Sequence, residues 1–220
     1  MSKTKFTAAK VLAINLKYYR DQIEKTQAEL SEICGMSQKL YQTLEAGRAN
    51  PSLDKLSKLA EAFKISLDRL VRLDRVRVHG DVDDFLQKLK KEMKPKDYGV
   101  AIRTYEGILL WGNDHTQNVM MNGVHDFGKG ALALDTVYNE ISRFNMRAQI
   151  DLERRGIAET YINHFLKKNG EFTTALGYPT LIYPEKGREP LFTVIFGTEL
   201  GRDCNKRYYD YCNSLLKCVL

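Results

Sequence analysis

The sequence has few of the residues that build metal centres or disulfide frameworks. It contains four cysteines and four histidines in 220 residues, and no two cysteines form a CxxC pair. The histidines are scattered and show no HExxH-type spacing, so we expect no metal, no haem and no other cofactor. Redox sensing by the three C-terminal cysteines is kept as an alternative. The cysteines and histidines are Cys34, Cys204, Cys212, Cys218, His79, His115, His125 and His164.

Long apolar runs and catalytic signatures are also missing. Nowhere do about 18 consecutive apolar residues occur, and the N-terminus is a short polar lead rather than a signal peptide. We therefore expect a cytoplasmic protein with no membrane partner. No complete phosphate loop of the GxxxxGK[ST] type is present, and no nucleophile–base arrangement can be inferred, so an enzyme is not expected.

Positive charge is present, and it is unevenly distributed. The formal net charge is +6, and residues 1–72 hold 13 Lys/Arg against 8 Asp/Glu, whereas residues 73–220 hold 21 against 20. Because attraction to phosphates needs clustered positive charge, the N-terminal third is the candidate nucleic-acid-binding part. A basic surface that only contacts solvent would give the same count, so the charge alone does not show that this part binds nucleic acid.

Residues 26–52 have the pattern of two short helices joined by a tight turn. Gly35 ends the first helix, because the residue just past a helix end often takes the left-handed conformation that glycine reaches cheaply. Ser37 is a suitable N-cap for the second helix, on which Tyr41 and Leu44 face inward. The residues predicted to form the buried face of the first helix are Ala28, Leu30, Ile33 and Cys34.

The surrounding pattern resembles the phage-repressor-like helix-turn-helix family (Cro/cI, or XRE) over about residues 9–72. Two residues depart from it: Ser31 stands where the family usually has Ala, and Tyr41 where it usually has Ile or Val. The resemblance implies an all-α, five-helix DNA-binding domain over residues 1–73 that binds double-stranded operator DNA as a homodimer. The residues that carry it include Arg20, Gln27, Leu30, Gly35, Ser37, Glu45, Ala46, Gly47, Arg48, Asn50, Pro51, Ser52, Leu53, Leu56, Leu59, Ala60, Phe63, Ile65, Leu67 and Leu70.

Two sets of residues are predicted to contact DNA. The polar side chains of the second helix face outward, where Gln and Lys can hydrogen-bond base edges in a major groove. The base-reading residues, by analogy with the matching family positions, are Gln38, Lys39, Gln42 and Thr43. The residues expected to contact the DNA backbone are Arg20, Gln27, Ser37 and Arg48.

Residues 74–95 are expected to form a connector that contains an amphipathic helix. The charged stretch 72–80 is typical of a linker or a short edge strand, and apolar residues at helical spacing predict a helix over 82–93, which Pro95 ends. The apolar stripe of this helix either packs on its own domain or pairs with the same helix of a second chain.

Residues 96–220 predict an α+β domain with an antiparallel sheet. Strands are predicted over 98–105, 108–111, 172–183 and 191–197, with Pro179 marking an edge or a break. Residues 131–168 are expected to be largely helical, and a last amphipathic helix is expected over 203–219. The Gly107–Trp111 run followed by Asn113 resembles the PAS sensory fold, over about residues 96–200, and this resemblance implies a ligand-sensing or dimerisation role.

The aromatic residues of this domain either line a ligand cavity or fill a core. The candidate pocket residues are Tyr105, Trp111, Phe144, Tyr178, Phe192 and Phe196. Taken together, the sequence predicts a dimeric transcription regulator whose C-terminal domain dimerises and senses a small-molecule effector. The alternatives are an antitoxin or adaptor whose C-terminal domain binds a partner protein, and an enzyme fused to a DNA-binding head.

Overall fold

A computed structural model describes residues 7–120, 127, 129–137, 139–166, 169–187, 189–199 and 204–219. The chain divides into two compact units, residues 1–73 and 74–220. Within the described ranges, no helix is both long enough and apolar enough to cross a membrane.

From residue 7 onward, where its structure is described, the N-terminal unit contains five helices around one apolar core. They are α1 (Ala8–Gln22), α2 (Gln27–Ile33), α3 (Gln38–Glu45), α4 (Leu53–Phe63) and α5 (Leu67–Val71). Leu16, Leu30 and Leu44 are fully buried in this core. The buried Asn15 side chain donates hydrogen bonds to the carbonyls of Leu70 (2.9 Å) and Arg72 (2.8 Å), which ties α1 to the end of α5. The predicted five-helix architecture is confirmed.

The helix α2 buries Leu30 and Cys34, as predicted, but not Ala28 and Ile33. Ile33 is 57% exposed, and Ala28 is exposed as well. Leu30, Ser31 and Cys34 form the buried face. Ser31 can be buried because its hydroxyl donates to the Ala28 carbonyl at 2.7 Å, so its polar group stays satisfied.

The C-terminal unit is an α+β fold, as predicted, and its described residues form one six-stranded sheet rather than the four strands expected from the sequence. Its elements are β1 (Arg75–Arg77), α6 (Val82–Met93), β2 (Gly99–Arg103), β3 (Leu109–Gly112), α7 (Glu140–Arg154), β4 (Tyr161–Leu166), β5 (Phe172–Tyr183), β6 (Phe192–Glu199) and α8 (Cys204–Val219). The strand order is β1-β5-β6-β2-β3, with β4 also paired to β5. All pairs are antiparallel except β1 with β5.

The long strand β5 shares one of its edges between two neighbours. It pairs with β4 over residues 172–177 and with β1 over residues 181–183. Pro179 lies in the gap between these two pairings, opposite Ile195 of β6. The residue predicted to mark an edge or a break therefore lies at a locally open edge of an unbroken strand, where its missing N–H costs no bond to β4 or β1.

Residues 74–95, predicted to be a connector, belong to the second unit. The strand β1 joins the sheet, and the apolar face of α6 is buried through Phe85, Leu89 and Met93. The Phe85 ring stacks on Phe192 of β6 with centroids 6.2 Å apart. The stripe of α6 therefore packs on its own domain and is not available to pair with a second chain.

The prediction that residues 131–168 are largely helical is wrong in part. The helix α7 covers only residues 140–154, and residues 161–166 form β4. Gly156 follows α7 with φ +72°, a left-handed conformation that stops the helix. The apolar residues after it have a spacing that fits a helix, but they pair residue by residue with β5, which provides an open edge.

Asn113 ties three elements of the second unit together. Its side-chain oxygen accepts from the Val100 amide (3.0 Å) and from the Thr116 hydroxyl (2.8 Å). Its side-chain nitrogen donates to the carbonyls of Met93 (3.1 Å) and Tyr98 (2.8 Å). A fully buried amide with all these partners fixes the end of α6 against the first hairpin.

Candidate nucleic-acid interface and ligand cavity

The two helices α2 and α3 are each fixed at their N-termini by a side-chain cap. Thr26 and Glu29 form a reciprocal capping box at the start of α2. Gly35 in the turn has φ +59°, and the Ser37 hydroxyl accepts from the Leu40 amide at the start of α3. These local bonds set the direction in which α3 leaves the turn.

The outward face of α3 is the candidate nucleic-acid interface. Tyr41 and Leu44 are fully buried, whereas Gln38, Lys39 and Gln42 are exposed. Thr43 is half-buried, and its hydroxyl donates to the Lys39 carbonyl at 2.7 Å. The helix therefore presents amide and ammonium groups to a partner, and Thr43 presents mainly its methyl group.

A hydrogen-bonded brace holds α3 against α1 and α2. Arg20 Nε donates to Glu45 Oε1 at 2.7 Å, and Gln27 Nε2 donates to Glu45 Oε2, also at 2.7 Å. Arg20 also donates to the Lys25 carbonyl at 3.1 Å. The hydrogen bond to Glu45 raises the pKa of Arg20 above its ordinary value. Of the residues predicted to contact the DNA backbone, Arg20 and Gln27 are thus already bound within the protein.

The other two residues of that predicted set are on the surface. Ser37 and Arg48 are both exposed. Arg48 follows Gly47, whose φ of +67° turns the chain after α3 and whose α-carbon lies close to α1. Arg48 is thus an exposed residue in the turn that directly follows α3.

The helix-turn-helix family model matches residues 16–70. Residues 16–70 are a helix-turn-helix domain. A curated relative is the transcriptional repressor RstR of a cryptic CTXphi phage in Vibrio cholerae, 39% identical over 51 residues, which are 23% of this chain and 46% of that repressor. The match thus spans about half of the relative's length.

Two solved structures resemble the second unit. One is the LOV protein of Rhodobacter sphaeroides, 15% identical, with 56% of this chain and 71% of that chain covered and a TM-score of 0.45. The other is a PAS domain of Desulfitobacterium hafniense, also 15% identical, with 49% and 97% covered and a TM-score of 0.40.

None of the six aromatic residues predicted to line a ligand pocket lines the cavity that is described below. Phe144 is 72% exposed on α7, so its assignment is wrong. Phe192 and Phe196 are buried on the α6 and α8 face of the sheet, where Phe196 contacts Tyr178, Tyr208 and Tyr211. These residues fill a core because that face is already covered by two helices.

The remaining two predicted pocket residues also lie elsewhere. Trp111 pairs with Ile102. The two neighbours of Ile102 in β2, Ala101 and Arg103, line the cavity under α7. Because side chains alternate between the two faces of a strand, Ile102 and Trp111 are on the other face of the sheet. Tyr105 packs against the small cluster of Ala158, Leu181 and Tyr183. Neither residue lines the cavity described next.

A cavity lies on the opposite face of the sheet, beneath α7. Its volume is about 30 Å³, room for one or two water molecules. The lining residues are Gly99, Ala101, Arg103, Leu109, Thr116, Ala133, Thr136, Met146, Tyr161, Phe165, Leu176, Gly177, Ile195 and Gly197.

One ion pair is completely buried at this cavity. Arg103 Nη2 lies 2.8 Å from Glu153 Oε1, and both side chains are 0% exposed. Thr193 donates to the second oxygen of Glu153 at 2.6 Å. Burial raises the pKa of Glu153, and the charge of Arg103 opposes that shift. Among the described residues, the Nε and Nη1 atoms of Arg103 have no hydrogen-bond partner.

Sequence reasoning missed this group of residues, although signals for it exist. Arg103 is a charged residue at the end of an otherwise apolar strand, and Gly177 and Gly197 lie within two other strands. Glycine inside a strand often marks the close approach of another group. The cavity itself follows from strand register, which the sequence pattern did not provide.

The described residues offer little for metal or thiol chemistry. They contain no group of three or more His, Cys, Asp or Glu side chains that could hold a metal ion. Burial raises the pKa of the Cys212 thiol to about 12 and that of Cys218 to about 11. Since the thiolate is the reactive form, these two cysteines are poorly suited to redox sensing; the Cys204 side chain lies outside the described residues.

Proposed function

We propose that this chain is a transcription regulator that binds operator DNA as a dimer and senses a small molecule with its C-terminal domain. The observation that carries the DNA-binding part is the exposed polar face of α3. Gln38 and Lys39 stand at its capped start, on a scaffold that buries Tyr41 and Leu44. Gln suits the edge of adenine and Lys suits that of guanine. The match of residues 16–70 to the helix-turn-helix family supports the same function.

The test is selection of the operator from a random DNA library, followed by binding measurements on variants. Replacing Gln38 or Lys39 by Ala should cost about 1–3 kcal/mol on the selected site and relax the preference at one position. Lys91→Ala is the matched control, because it removes one exposed positive charge from the second unit. Unchanged operator preference in both α3 variants would refute the base-reading assignment.

Arg48 is proposed to contact the DNA backbone and not the bases. Its exposed position in the turn after α3 and its positive charge fit a phosphate contact. Arg48→Ala should weaken binding to operator and random DNA alike, and should lower the slope of log affinity against log salt by about one. A loss seen on the operator only would identify Arg48 as a base-reading residue.

Dimerisation is proposed to involve the outer face of α7. Ile141 and Phe144 are each 72% exposed and lie one turn apart on this face, while Ser142, Met146 and Ile150 face the sheet. The apolar face of α6, which the sequence left open for pairing with a second chain, is buried within the unit, and so is the apolar face of α8. Linking two DNA-binding domains raises operator affinity through effective concentration, without new DNA contacts. Half-sites of such a dimer lie about 34 Å apart.

Sedimentation of the full chain tests this arrangement. A double variant, Ile141→Glu with Phe144→Glu, should be monomeric and should bind the operator more weakly, whereas Tyr209→Glu, at an exposed position on α8, should remain dimeric. A monomeric parent chain would contradict the dimer proposal. It would favour the antitoxin or adaptor function, with the same exposed apolar pair available to a partner protein.

A further inference from the structure

The hydroxyl group of Tyr41 is buried in the first unit without a hydrogen bond. The side chain is 0% exposed, and its oxygen bonds to none of the residues that the structure describes. Leaving a buried hydroxyl unbonded costs free energy. Phenylalanine would fill the same space without this cost, so the packing of the free domain gives no reason for a tyrosine.

A carboxylate lies close to this hydroxyl. Tyr41 and Glu45 are four residues apart in α3, a spacing that makes their side chains neighbours on the helix. Burial raises the pKa of the Tyr41 hydroxyl, and the negative charge of Glu45 raises it further. The two groups therefore interact, but their geometry is not that of a hydrogen bond.

Both oxygens of Glu45 already have a donor. Arg20 Nε donates to Oε1 and Gln27 Nε2 donates to Oε2, each at 2.7 Å. The Glu45 side chain is only 7% exposed, so water is a poor replacement for a donor that leaves. The Tyr41 hydroxyl is thus a third donor beside a carboxylate that already holds two.

The two donors differ in how easily they leave Glu45. Arg20 forms a charged pair with it and also donates to the Lys25 carbonyl at 3.1 Å. Gln27 is neutral and half-buried, and a hydrogen bond between two charged groups is stronger than one from a neutral amide. Gln27 is also one of the residues predicted to contact the DNA backbone. It is therefore the donor that can exchange Glu45 for a phosphate oxygen.

That exchange by itself would leave one oxygen of Glu45 buried and without a donor. We infer that Tyr41 is a positioning residue for DNA binding: when Gln27 turns from Glu45 to a phosphate, the Tyr41 hydroxyl donates to the freed oxygen. Glu45 then stays in its bond with Arg20, which holds α3 against α1. This inference rests on the proposed DNA-binding function and adds a buried residue that acts behind the exposed face of α3.

The test compares Tyr41→Phe with the parent in the full chain, by denaturant unfolding and by operator binding. The variant should unfold at the same or a slightly higher denaturant concentration, because no bond is lost in the free protein. Its operator affinity should fall about five- to tenfold, because the freed oxygen of Glu45 then has no donor in the complex. A residue needed only for folding would lose stability instead.

The matched control is a buried tyrosine that does have a partner. Tyr211 of α8 donates from its hydroxyl to Thr180 at 2.9 Å and is fully buried. Tyr211→Phe should therefore lower stability and leave operator affinity unchanged, which is the opposite of the result expected for Tyr41→Phe.

A second background tests the link to Gln27. In Gln27→Ala, one oxygen of Glu45 is free with and without DNA, so the Tyr41 hydroxyl should bond to it in both states. There, adding Tyr41→Phe should lower the folding equilibrium constant about five- to tenfold and leave operator affinity unchanged. The effects of the two substitutions on affinity should thus be non-additive.

Three results would overturn the inference. Unchanged operator affinity in Tyr41→Phe would show that the hydroxyl has no role in the complex. A loss of stability in Tyr41→Phe with Gln27 intact would show that the hydroxyl is already bonded in the free protein. An equal loss of affinity with and without Gln27 would show that Tyr41 acts independently of the exchange.

Failure of the proposed function would look different. If the parent chain selects no DNA sequence and binds none, the DNA-binding function is wrong, and the role of Tyr41 is wrong with it. If the parent binds its operator and Tyr41→Phe binds equally tightly, only the role of Tyr41 is wrong.

Discussion

The two units use the same chemistry, an arginine–glutamate pair, in opposite ways. In the first unit, Arg20 and Glu45 are 2.7 Å apart and partly accessible, and both oxygens of Glu45 are occupied. In the second unit, Arg103 and Glu153 are 2.8 Å apart and fully buried, yet two nitrogen atoms of Arg103 stay unpartnered among the described residues. The first pair is part of the hydrogen-bonded brace that holds α3, whose outer face is exposed, against α1 and α2. The second pair leaves two donor nitrogens of Arg103 unpartnered in the interior, in a residue that lines a cavity.

The difference teaches where recognition takes place in each unit. The first unit keeps its polar network for internal support and presents recognition groups on its surface. The second unit exposes an apolar pair, Ile141 and Phe144, on its surface. Its unpartnered polar atoms, such as Nε and Nη1 of Arg103, are in the interior. A DNA groove is met from outside, whereas a small ligand is enclosed, so each arrangement suits the kind of partner proposed for it.

The largest expected effect comes from breaking the buried pair. Arg103→Met should lower the free energy of unfolding of the second unit by about 3–5 kcal/mol, because Glu153 is left buried and unpaired. Burial raises the pKa of Glu153, so the stability of the variant should be best retained below about pH 4.5, where Glu153 is protonated in both states, and should fall as pH rises through its folded-state pKa.

Denaturant unfolding at several pH values measures this loss. The control is Arg103→Met with Glu153→Met, which removes both charges and should recover most of the stability. If the single variant loses less than about 1 kcal/mol, the pair behaves like a surface ion pair and the contrast between the units disappears.

A smaller effect is expected from adding a side chain at Gly177, which lines the cavity. Gly177→Ala places a methyl group 2.4 Å from the Tyr161 ring, so the ring must shift, at a cost of about 1–3 kcal/mol. In the Tyr161→Ala background the same substitution should cost much less, because nothing remains above it. Unfolding of the four members of this double-mutant cycle gives the coupling energy. Additive effects would mean that the ring does not rest on Gly177.

The brace of the first unit should contribute less than the buried pair. Glu45→Gln keeps the size of the side chain and removes its charge, and should cost about 1–2 kcal/mol through weaker bonds to Arg20 and Gln27. Operator affinity should fall as well, because α3 is then less firmly positioned. If Arg20→Ala weakens DNA binding while Glu45→Gln leaves it unchanged, Arg20 acts by contacting phosphate and not as a brace.

The smallest effect concerns a surface carboxylate of the first unit. Hydrogen bonds from the Thr26 backbone, Lys25 and the Thr26 hydroxyl lower the pKa of Glu29 to about 2. The stabilisation from this group is therefore complete above about pH 4.5 and is lost as pH falls through about 2. A carboxyl titration by nuclear magnetic resonance should place the Glu29 midpoint near 2 in the parent and higher in Thr26→Ala, which removes the hydroxyl bond but keeps the backbone N–H and Lys25. A parent midpoint near 4.5 would show that the capping box does not hold in solution.

The sequence predicted the elements whose signals are local. Gly35 and Ser37 define the turn before α3, and the spacing of Val82, Phe85, Leu89 and Met93 defines α6, because capping and helical periodicity depend on residues within a few positions. The strand β4 was not predicted, because its formation depends on a contact with a distant part of the chain. Residues 161–166 become a strand only because β5 offers an edge to pair with.

What the sequence by itself determined is a helix-turn-helix domain, its outward polar face, and an α+β domain after it. What only the tertiary structure decided is the location of the cavity and its chemistry. Gly99, Gly177 and Gly197 are far apart in the chain and come side by side through strand register, and Arg103 meets Glu153 across 50 positions. Local patterns specify helices and turns, but which strands lie side by side, and therefore which side chains share a buried space, is set by long-range packing.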